Sequence, residues 1–229
     1  AKWSLMFGGQ AHPSMTIRGI INRGGEQGAQ HSQALHSWFA HVPGLRVVMP
    51  ATPADARDLL ISAVLCDDPV LYIDDRWLYE WESFLPPVVE CPLEEEGPRL
   101  LVEGSDITLV GAGYSTKLCI DAAEELGLLG ISAEVVDVRV LNPLDPGVII
   151  QSALETRRLL VVDGGWRNCG LAGEIIARVA EGTHSAALIT PPVRLTLPDA
   201  AAPTSGPLER SYYTTANEIV KAVVAMMDG

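Results

Sequence analysis

Short runs rich in Val, Ile and Leu alternate with amphipathic patterns along most of the chain. Compact apolar runs indicate buried strands, and apolar positions spaced by three and four residues indicate helices. The predicted strands cover residues 15–18, 45–49, 69–73, 106–110, 132–138, 158–162 and 187–190. The predicted helices cover residues 31–41, 52–66, 115–126, 145–154, 171–180 and 214–227. This alternation is typical of a mostly parallel sheet flanked by helices, so we expect an α/β fold.

The helix predicted over residues 52–66 has the best-marked start. Thr52 is a favourable N-cap, Pro53 suits the first helical position, and Asp55 lies in the first turn, where the helix dipole favours an anion. We expect its buried face to be formed by Leu59, Leu60, Ala63 and Val64.

A proline-rich, acidic stretch separates two halves of this pattern. Residues 86–102 predict an extended linker, which divides the chain into a partial domain at 1–85 and a complete one at 103–229. Residues 1–10 resemble the middle of a domain more than a natural start. They also lack the basic region and apolar core of a signal peptide.

Composition narrows the possible partners and the compartment. The 229 residues are 48% hydrophobic and 20% charged, with a formal net charge of −13. Such a charge disfavours nucleic acid as a partner, and no apolar run approaches the length of a membrane span. The four cysteines, Cys66, Cys91, Cys119 and Cys169, form no CxxC pair. We expect them to be reduced thiols in the cytoplasm or in a mitochondrial or plastid matrix.

His31 is the strongest candidate for chemistry. It follows a glycine-rich loop, residues 19–28, and the predicted helix would place it near a helix N-terminus. There the dipole favours a neutral imidazole that exchanges protons near pH 7. From the residues alone, a histidine that is merely bonded to a nearby carbonyl is the favoured interpretation. His31, His36 and His41 recur every five residues, so they do not converge on a metal ion.

Two glycine clusters follow predicted strands. Gly111-Ala112-Gly113 suits either a phosphate-binding turn or a tight strand-to-helix turn, and Thr116 stands where a dinucleotide fingerprint needs glycine. Gly164 and Gly165 suit a close backbone approach. Asp163, just before them, is placed either to orient a ligand or to cap the following turn.

The order of several motifs resembles the beta subunits of thiamine diphosphate-dependent 2-oxo acid dehydrogenases, of the pyruvate, branched-chain and acetoin type. The motifs of the first half are Ile17-Arg18-Gly19, Ala29-Gln30-His31-Ser32-Gln33, Trp38-Phe39-Ala40-His41 and Pro43-Gly44-Leu45. Those of the second half are Glu103-Gly104-Ser105-Asp106, Asn142-Pro143-Leu144-Asp145, Gly165-Trp166 and Ala172-Gly173-Glu174. The resemblance implies a partial transketolase-like pyrimidine-binding domain followed by a complete transketolase C-terminal domain.

The resemblance also implies a function shared between subunits. The family decarboxylates a 2-oxo acid and passes the acyl group to lipoyl. Its thiamine diphosphate and magnesium lie between an alpha and a beta subunit. The cofactor's glutamate and aromatic partners would lie upstream of Ala1, which leaves His31 as the catalytic residue of this chain. The family further implies a potassium ion on carbonyls of Ala63, Val64, Cys66 and Asp68. A second beta chain and a lipoyl acyltransferase core are the other expected partners.

Some positions depart from the family pattern. Ile20-Ile21-Asn22-Arg23 replaces the usual start of the glycine loop, and Asp163 replaces a common glutamate. Ile189 stands where some beta subunits carry an acid that docks the acyltransferase. Two alternatives remain open: a non-catalytic dimerisation or docking module, and the C-terminal section of a transketolase or deoxyxylulose-phosphate synthase-like enzyme.

Overall fold

The computed structural model describes residues 1–88, 90–184 and 187–228, which form two mostly parallel sheets flanked by helices. The strands are β1 (Thr16–Ile21), β2 (Arg46–Val48), β3 (Val70–Asp75), β4 (Arg99–Val102), β5 (Ile107–Gly111), β6 (Ala133–Asp137), β7 (Val140–Asn142), β8 (Leu159–Trp166) and β9 (Val193–Leu197). The helices are α1 (Trp3–Met6), α2 (Gly28–His31), α3 (His36–Ala40), α4 (Pro53–Leu65), α5 (Tyr114–Leu128), α6 (Gly147–Thr156), α7 (Leu171–Gly182), α8 (Gly206–Arg210) and α9 (Ala216–Asp228). The predicted α/β class is confirmed.

The first sheet has the order β1-β3-β2-β7. β3 lies between β1 and β2 and is parallel to both, and all six of its residues are buried. Full burial explains why its sequence is apolar without alternation until the two aspartates at its end. β7 closes the other edge by pairing antiparallel with β2.

The second sheet has the order β4-β6-β5-β8-β9, with only β4 antiparallel to its neighbour. Helices α5 and α9 pack over one face, where Ile219 and Val223 of α9 meet Leu118 and Ala122 of α5. Helices α6 and α7 cover the other face. The buried sides of these helices are the apolar stripes that the sequence pattern predicts.

The two sheets share one hydrophobic core. Val47 of β2 and Met49, which follows β2, belong to the same buried cluster as Val110 of β5 and Ile175 of α7. On the opposite side of the first sheet, α4 packs with the buried Leu93 of the connecting segment. The halves divided at residues 86–102 therefore fold against each other along an apolar interface.

The chain passes from the second sheet to the first within two residues, at Val138 and Arg139. Arg139 has a positive φ of 51°, and its carbonyl accepts a hydrogen bond from Met49 N at 2.7 Å. Its guanidinium is buried and donates to Asp55 Oδ1 at 2.7 Å, to Glu96 Oε2 at 2.6 Å and to Gly97 O at 3.0 Å. Burial opposes the charge, but Asp55 and Glu96 outweigh it and raise the pKa of Arg139.

The start of α4 agrees with the sequence prediction and also serves this junction. The Thr52 hydroxyl accepts a hydrogen bond from Asp55 N at 3.1 Å, and Pro53 occupies the first helical position. Leu59 and Ala63 are buried and Leu60 is partly buried, as predicted, but Val64 is 60% exposed. The burial prediction was wrong for Val64 because the helix packs on a single sheet face, and Val64 lies beyond that face.

Several predicted boundaries were wrong. β1 runs on to Ile21, because its backbone stays paired with β3 as far as Asp75. No strand covers residues 187–190; the outer strand is β9, after Pro191 and Pro192. β4 lies inside the segment predicted as a linker, which also contains Val89, a residue outside the described part of the chain. Short edge strands leave a weak pattern, so the linker prediction missed β4.

The described helices include none that is long and apolar enough to cross a lipid bilayer.

Replacing Arg139 with alanine should destabilise the fold strongly. The change leaves the carboxylate of Asp55 buried without its main partner, which costs about 3–5 kcal/mol for a broken buried pair. Arg99→Ala is the matched control, because Arg99 binds the same Asp55 oxygen but its side chain is 50% exposed. That change should cost about 1 kcal/mol or less. Chemical unfolding of both variants measures the difference, and equal losses would refute the special role of Arg139.

Asp137, at the end of β6, should make stability depend on pH. It is completely buried, Thr116 Oγ1 donates to its Oδ1 at 2.8 Å, and its Oδ2 has no partner among the described residues. Burial raises its pKa to about 7. Between the ordinary carboxyl pKa and 7 the folded state binds more protons than the unfolded state, so the free energy of unfolding should fall as pH rises through that range.

Asp137→Asn should remove this part of the pH dependence while preserving the bond from Thr116. Urea unfolding at several pH values, compared between wild type and variant, measures the effect. Asp228→Asn, at the exposed end of α9, is the control and should follow the wild-type profile. An unchanged slope in the Asp137 variant would show that this carboxyl group does not titrate between those limits.

Candidate functional site

His31 lies on the segment of residues 28–35 that connects the glycine-rich loop to α3, in which exposed and buried residues are mixed. The predicted helix over residues 31–41 was wrong, because the structure has two short helices, α2 and α3, separated by four residues. Ser32, Ala34 and His36 are all buried, and residues two apart point to different faces of a helix. Their common burial therefore requires a break in the helix.

This break changes the surroundings of His31. His31 is the last residue of the one-turn helix α2, not the first of a longer one, so the predicted N-terminal dipole does not act on it. Its imidazole is exposed. The structure thus leaves His31 accessible to another molecule, which is the arrangement a proton-transfer residue requires.

Beneath this segment, the buried His36 makes a polar contact that the sequence pattern did not predict. His36 Nε2 lies 2.9 Å from Asp163 Oδ1, and the two residues are 2% and 3% exposed. Because the carboxylate only accepts, we assign the proton of that bond to Nε2. The contact joins α3 of the first half to the end of β8 in the second half.

Asp163 also caps α7. Its Oδ1 accepts from Gly165 N at 2.8 Å, and its Oδ2 accepts from Ala172 N at 3.0 Å. Burial alone would raise the pKa of Asp163, but His36 and these two amides lower it below its ordinary value. Of the two interpretations of Asp163, the cap of the following turn is confirmed. Ser37 Oγ accepts from Leu171 N at 2.9 Å and satisfies a further amide of the same helix start.

Residues of the second half hold the C-terminal end of the glycine-rich loop. Glu26 N donates to both carboxylate oxygens of the buried Glu209, at 3.2 and 3.1 Å. Gly28 has a φ of +69°, and a Cβ there would lie 2.4 Å from Thr204 Cγ2. Only glycine fits this contact, so residues 26–28 are held close to the segment that leads into α8.

The two other glycine clusters serve close packing. A Cβ on Gly113 would lie 2.5 Å from Met49 Cε, and one on Gly111 would lie 2.7 Å from Thr116 N. Gly164 approaches the guanidinium of Arg23, and Gly165 lies against the ring of His36. The tight-turn and close-approach interpretations are therefore confirmed, and the glycines of the second cluster leave room for side chains of the first half.

A cleft next to α3 does not contain His31. It has a volume of about 960 Å³ and lies between α3 and the start of α7, where Trp38, Trp166 and Arg194 are among the residues that line it. His41 and Glu174 also line this cleft, and no hydrogen bond or ion pair joins the two in the described part of the chain. We place the candidate site at His31, the histidine of the motif Ala29-Gln30-His31-Ser32-Gln33. The cleft nevertheless borders Ser37 and Leu171, the contact that fixes α3.

The four residues of the expected potassium site lie at the end of α4 and in the turn after it. The carbonyl of Ala63 accepts from Thr16 Oγ1 and that of Cys66 from Ser14 Oγ, each at 2.8 Å. Each of these two carbonyls keeps a second lone pair. The side chains of Cys66, Asp68 and Glu94 also meet there, but Arg46 pairs with both carboxylates, at 2.9 and 3.2 Å. Arg46 already supplies a cation to this acidic group.

Comparison with known proteins agrees with this architecture. Residues 98–219 match the family described as transketolase, C-terminal domain, and residues 1–80 match the family described as transketolase, pyrimidine binding domain. A solved structure described as a split gene transketolase, inactive beta4 tetramer, aligns with a TM-score of 0.75 and 25% identity. The alignment covers 92% of this chain and 66% of that one.

Two curated relatives are similar over almost the whole chain. The beta subunit of acetoin:2,6-dichlorophenolindophenol oxidoreductase from Bacillus subtilis is 36% identical, over 99% of this chain and 66% of the relative. The mitochondrial pyruvate dehydrogenase E1 component subunit beta of Ascaris suum is 34% identical, over 97% of this chain and 63% of the relative. The chain thus spans about two thirds of the length of these relatives.

Proposed function

The chain belongs to the transketolase-like family that includes the beta subunits of pyruvate dehydrogenase and acetoin oxidoreductase, and we propose that it acts as such a beta subunit together with an alpha subunit. The proposed reaction is the oxidative decarboxylation of a 2-oxo acid, with transfer of the acyl group to lipoyl. The observation that carries the proposal is the exposed imidazole of His31 on a segment anchored at both of its ends.

The described residues fit one part of a thiamine diphosphate site. Among them, His31 offers an exposed imidazole for proton transfer, and the family resemblance places the groups that hold the diphosphate and its magnesium ion on the alpha subunit. We therefore assign those groups to the alpha subunit. When bound, thiamine diphosphate supplies the carbanion chemistry that decarboxylation requires.

The role of this chain is then proton transfer at the imidazole of His31. Histidine is the side chain that enzymes use most often to move protons, so an exposed imidazole is suited to exchange a proton with a neighbouring substrate. Glu26 and Gly28 fix the loop before the segment that carries His31, and His36 fixes the helix after it. These anchors keep the imidazole at a constant place on the surface that the alpha subunit would cover.

We also propose a potassium ion on the carbonyls of Ala63, Val64, Cys66 and Asp68. The support is the donor chemistry, since carbonyl oxygens replace the hydration shell of potassium in other proteins. Thermal unfolding in potassium chloride, compared with sodium chloride at the same ionic strength, tests the proposal. Equal melting temperatures in the two salts would count against this site.

His31→Ala should lower the turnover of the complex with the alpha subunit by about 10²–10⁴-fold, the usual contribution of a positioned acid–base group. Its unfolding free energy should change little, because the side chain is exposed. His184→Ala is the control, because that exposed histidine follows the C-terminal end of α7, away from the end that contacts His36. Wild-type turnover of a folded His31 variant would remove His31 from the mechanism and would favour the non-catalytic module.

Two copies of the chain should form a dimer through their C-terminal halves. The support is the similar solved structure described as a beta4 tetramer, together with large exposed apolar side chains of the second half such as Leu128 and Leu129. Sedimentation equilibrium at several salt concentrations measures the mass. A dimer that persists at high salt supports an apolar interface, whereas a monomer at tens of micromolar chain contradicts the proposal.

A further inference from the structure

The segment that carries His31 belongs to the first half of the chain, but the second half determines where it lies. On its N-terminal side, the buried carboxylate of Glu209 holds Glu26 N. On its C-terminal side, Asp163 holds the ring of His36. Both carboxylates come from the second half, more than a hundred residues away along the chain.

The hydrogen bond between His36 and Asp163 fixes the orientation of the imidazole, which apolar packing alone would not do. The surrounding core is apolar, with Ala34 and Leu171 among its buried members, and a leucine at position 36 would suit such a core. A buried polar pair seldom stabilises a fold more than apolar side chains of similar volume, whereas it does fix one geometry. His36 Nδ1 also has no hydrogen-bond partner among the described residues, so the ring makes a single polar bond.

The same carboxylate defines the position of a rigid element. Asp163 binds the backbone of Gly165 and of Ala172, so it lies at a fixed place relative to β8 and α7. Ser37, the next residue after His36, accepts from Leu171 N on the same helix. Two adjacent residues of α3 are therefore held at the first turn of α7, which leaves α3 little freedom to rotate or shift.

We propose that His36 and Asp163 are positioning residues for His31. Their bond fixes the start of α3 against β8 and α7. That contact sets the path of residues 32–35 and hence the place of the exposed imidazole five residues earlier. The inference deepens the proposed function and rests on the role of His31 in it. Neither His36 nor Asp163 touches a reacting group, since both are buried.

The test uses the complex of the full chain with its alpha subunit. His36→Leu leaves the carboxylate of Asp163 bonded to Gly165 N and Ala172 N, so the variant should still fold, with a lower midpoint of unfolding than the wild type. It should lower kcat by about 10–100-fold with little change in KM, because a displacement of about 1 Å at a reacting group costs up to that factor. His36→Gln retains a donor toward Asp163 and should recover part of the loss. Asp163→Asn should resemble His36→Leu.

A double variant separates positioning from a general loss of structure. If His36 acts through His31, His31→Ala combined with His36→Leu should be no slower than His31→Ala alone. Thr108→Val is the matched control: it removes a buried hydroxyl, bonded to Ser152 and Thr156 beneath the second sheet, and should leave kcat unchanged. Amide hydrogen exchange should show faster exchange at residues 28–35 in His36→Leu and not in Thr108→Val.

The outcomes distinguish the inference from the function on which it rests. Wild-type turnover of His31→Ala would refute the proposed role of His31, and the inference with it. A slow His31→Ala beside a His36→Leu variant with wild-type kcat, or effects of the two changes that multiply, would overturn the inference alone. A slow His36→Leu whose effect vanishes in the His31→Ala background would support it.

Discussion

The buried guanidinium of Arg139 is the contact on which the arrangement of the two sheets depends. The chain leaves β6 and enters β7 through this residue, so one backbone turn belongs to both sheets. Its carboxylate partners come from the start of α4 and from the connecting segment. A buried arginine without carboxylate partners would be very unfavourable. The turn is therefore stable only when the start of α4 and the connecting segment are both packed against it.

Because of that turn, the two halves share strands and core residues. β7 lies late in the chain and closes the first sheet, and Val47 and Met49 pack into the core under α6 and α7. The same principle extends to His31, whose segment is held by Glu209 and Asp163 from the second half. The site and the core therefore both form where the two halves of the chain contact each other.

The sequence predicts the features that depend on residues close together along the chain. The start of α4 at Thr52 and the apolar side of α9 follow from capping and periodicity, and the structure has both. The pattern did not allow prediction of contacts between distant residues. His36 looked like one of three unrelated histidines, because its partner Asp163 lies 127 residues away. The residue types over 31–37 carry no signal of this contact, because the alternation of the buried Ser32, Ala34 and His36 with more exposed residues is visible only in the structure.

Burial keeps a carboxyl group next to Arg139 neutral, and the balanced charges around Arg139 do not offset that effect. Arg139 and Arg99 carry two positive charges, and Asp55 and Glu96 carry two negative ones, so the cluster is balanced. Asp137 lies close to it, fully buried, where Asp55 raises its pKa and Arg139 lowers it by less than burial raises it. A third negative charge would find no unpaired cation within this cluster. Asp137 therefore keeps its proton to about pH 7, so the last residue of β6 brings no unpaired charge to the turn at Arg139.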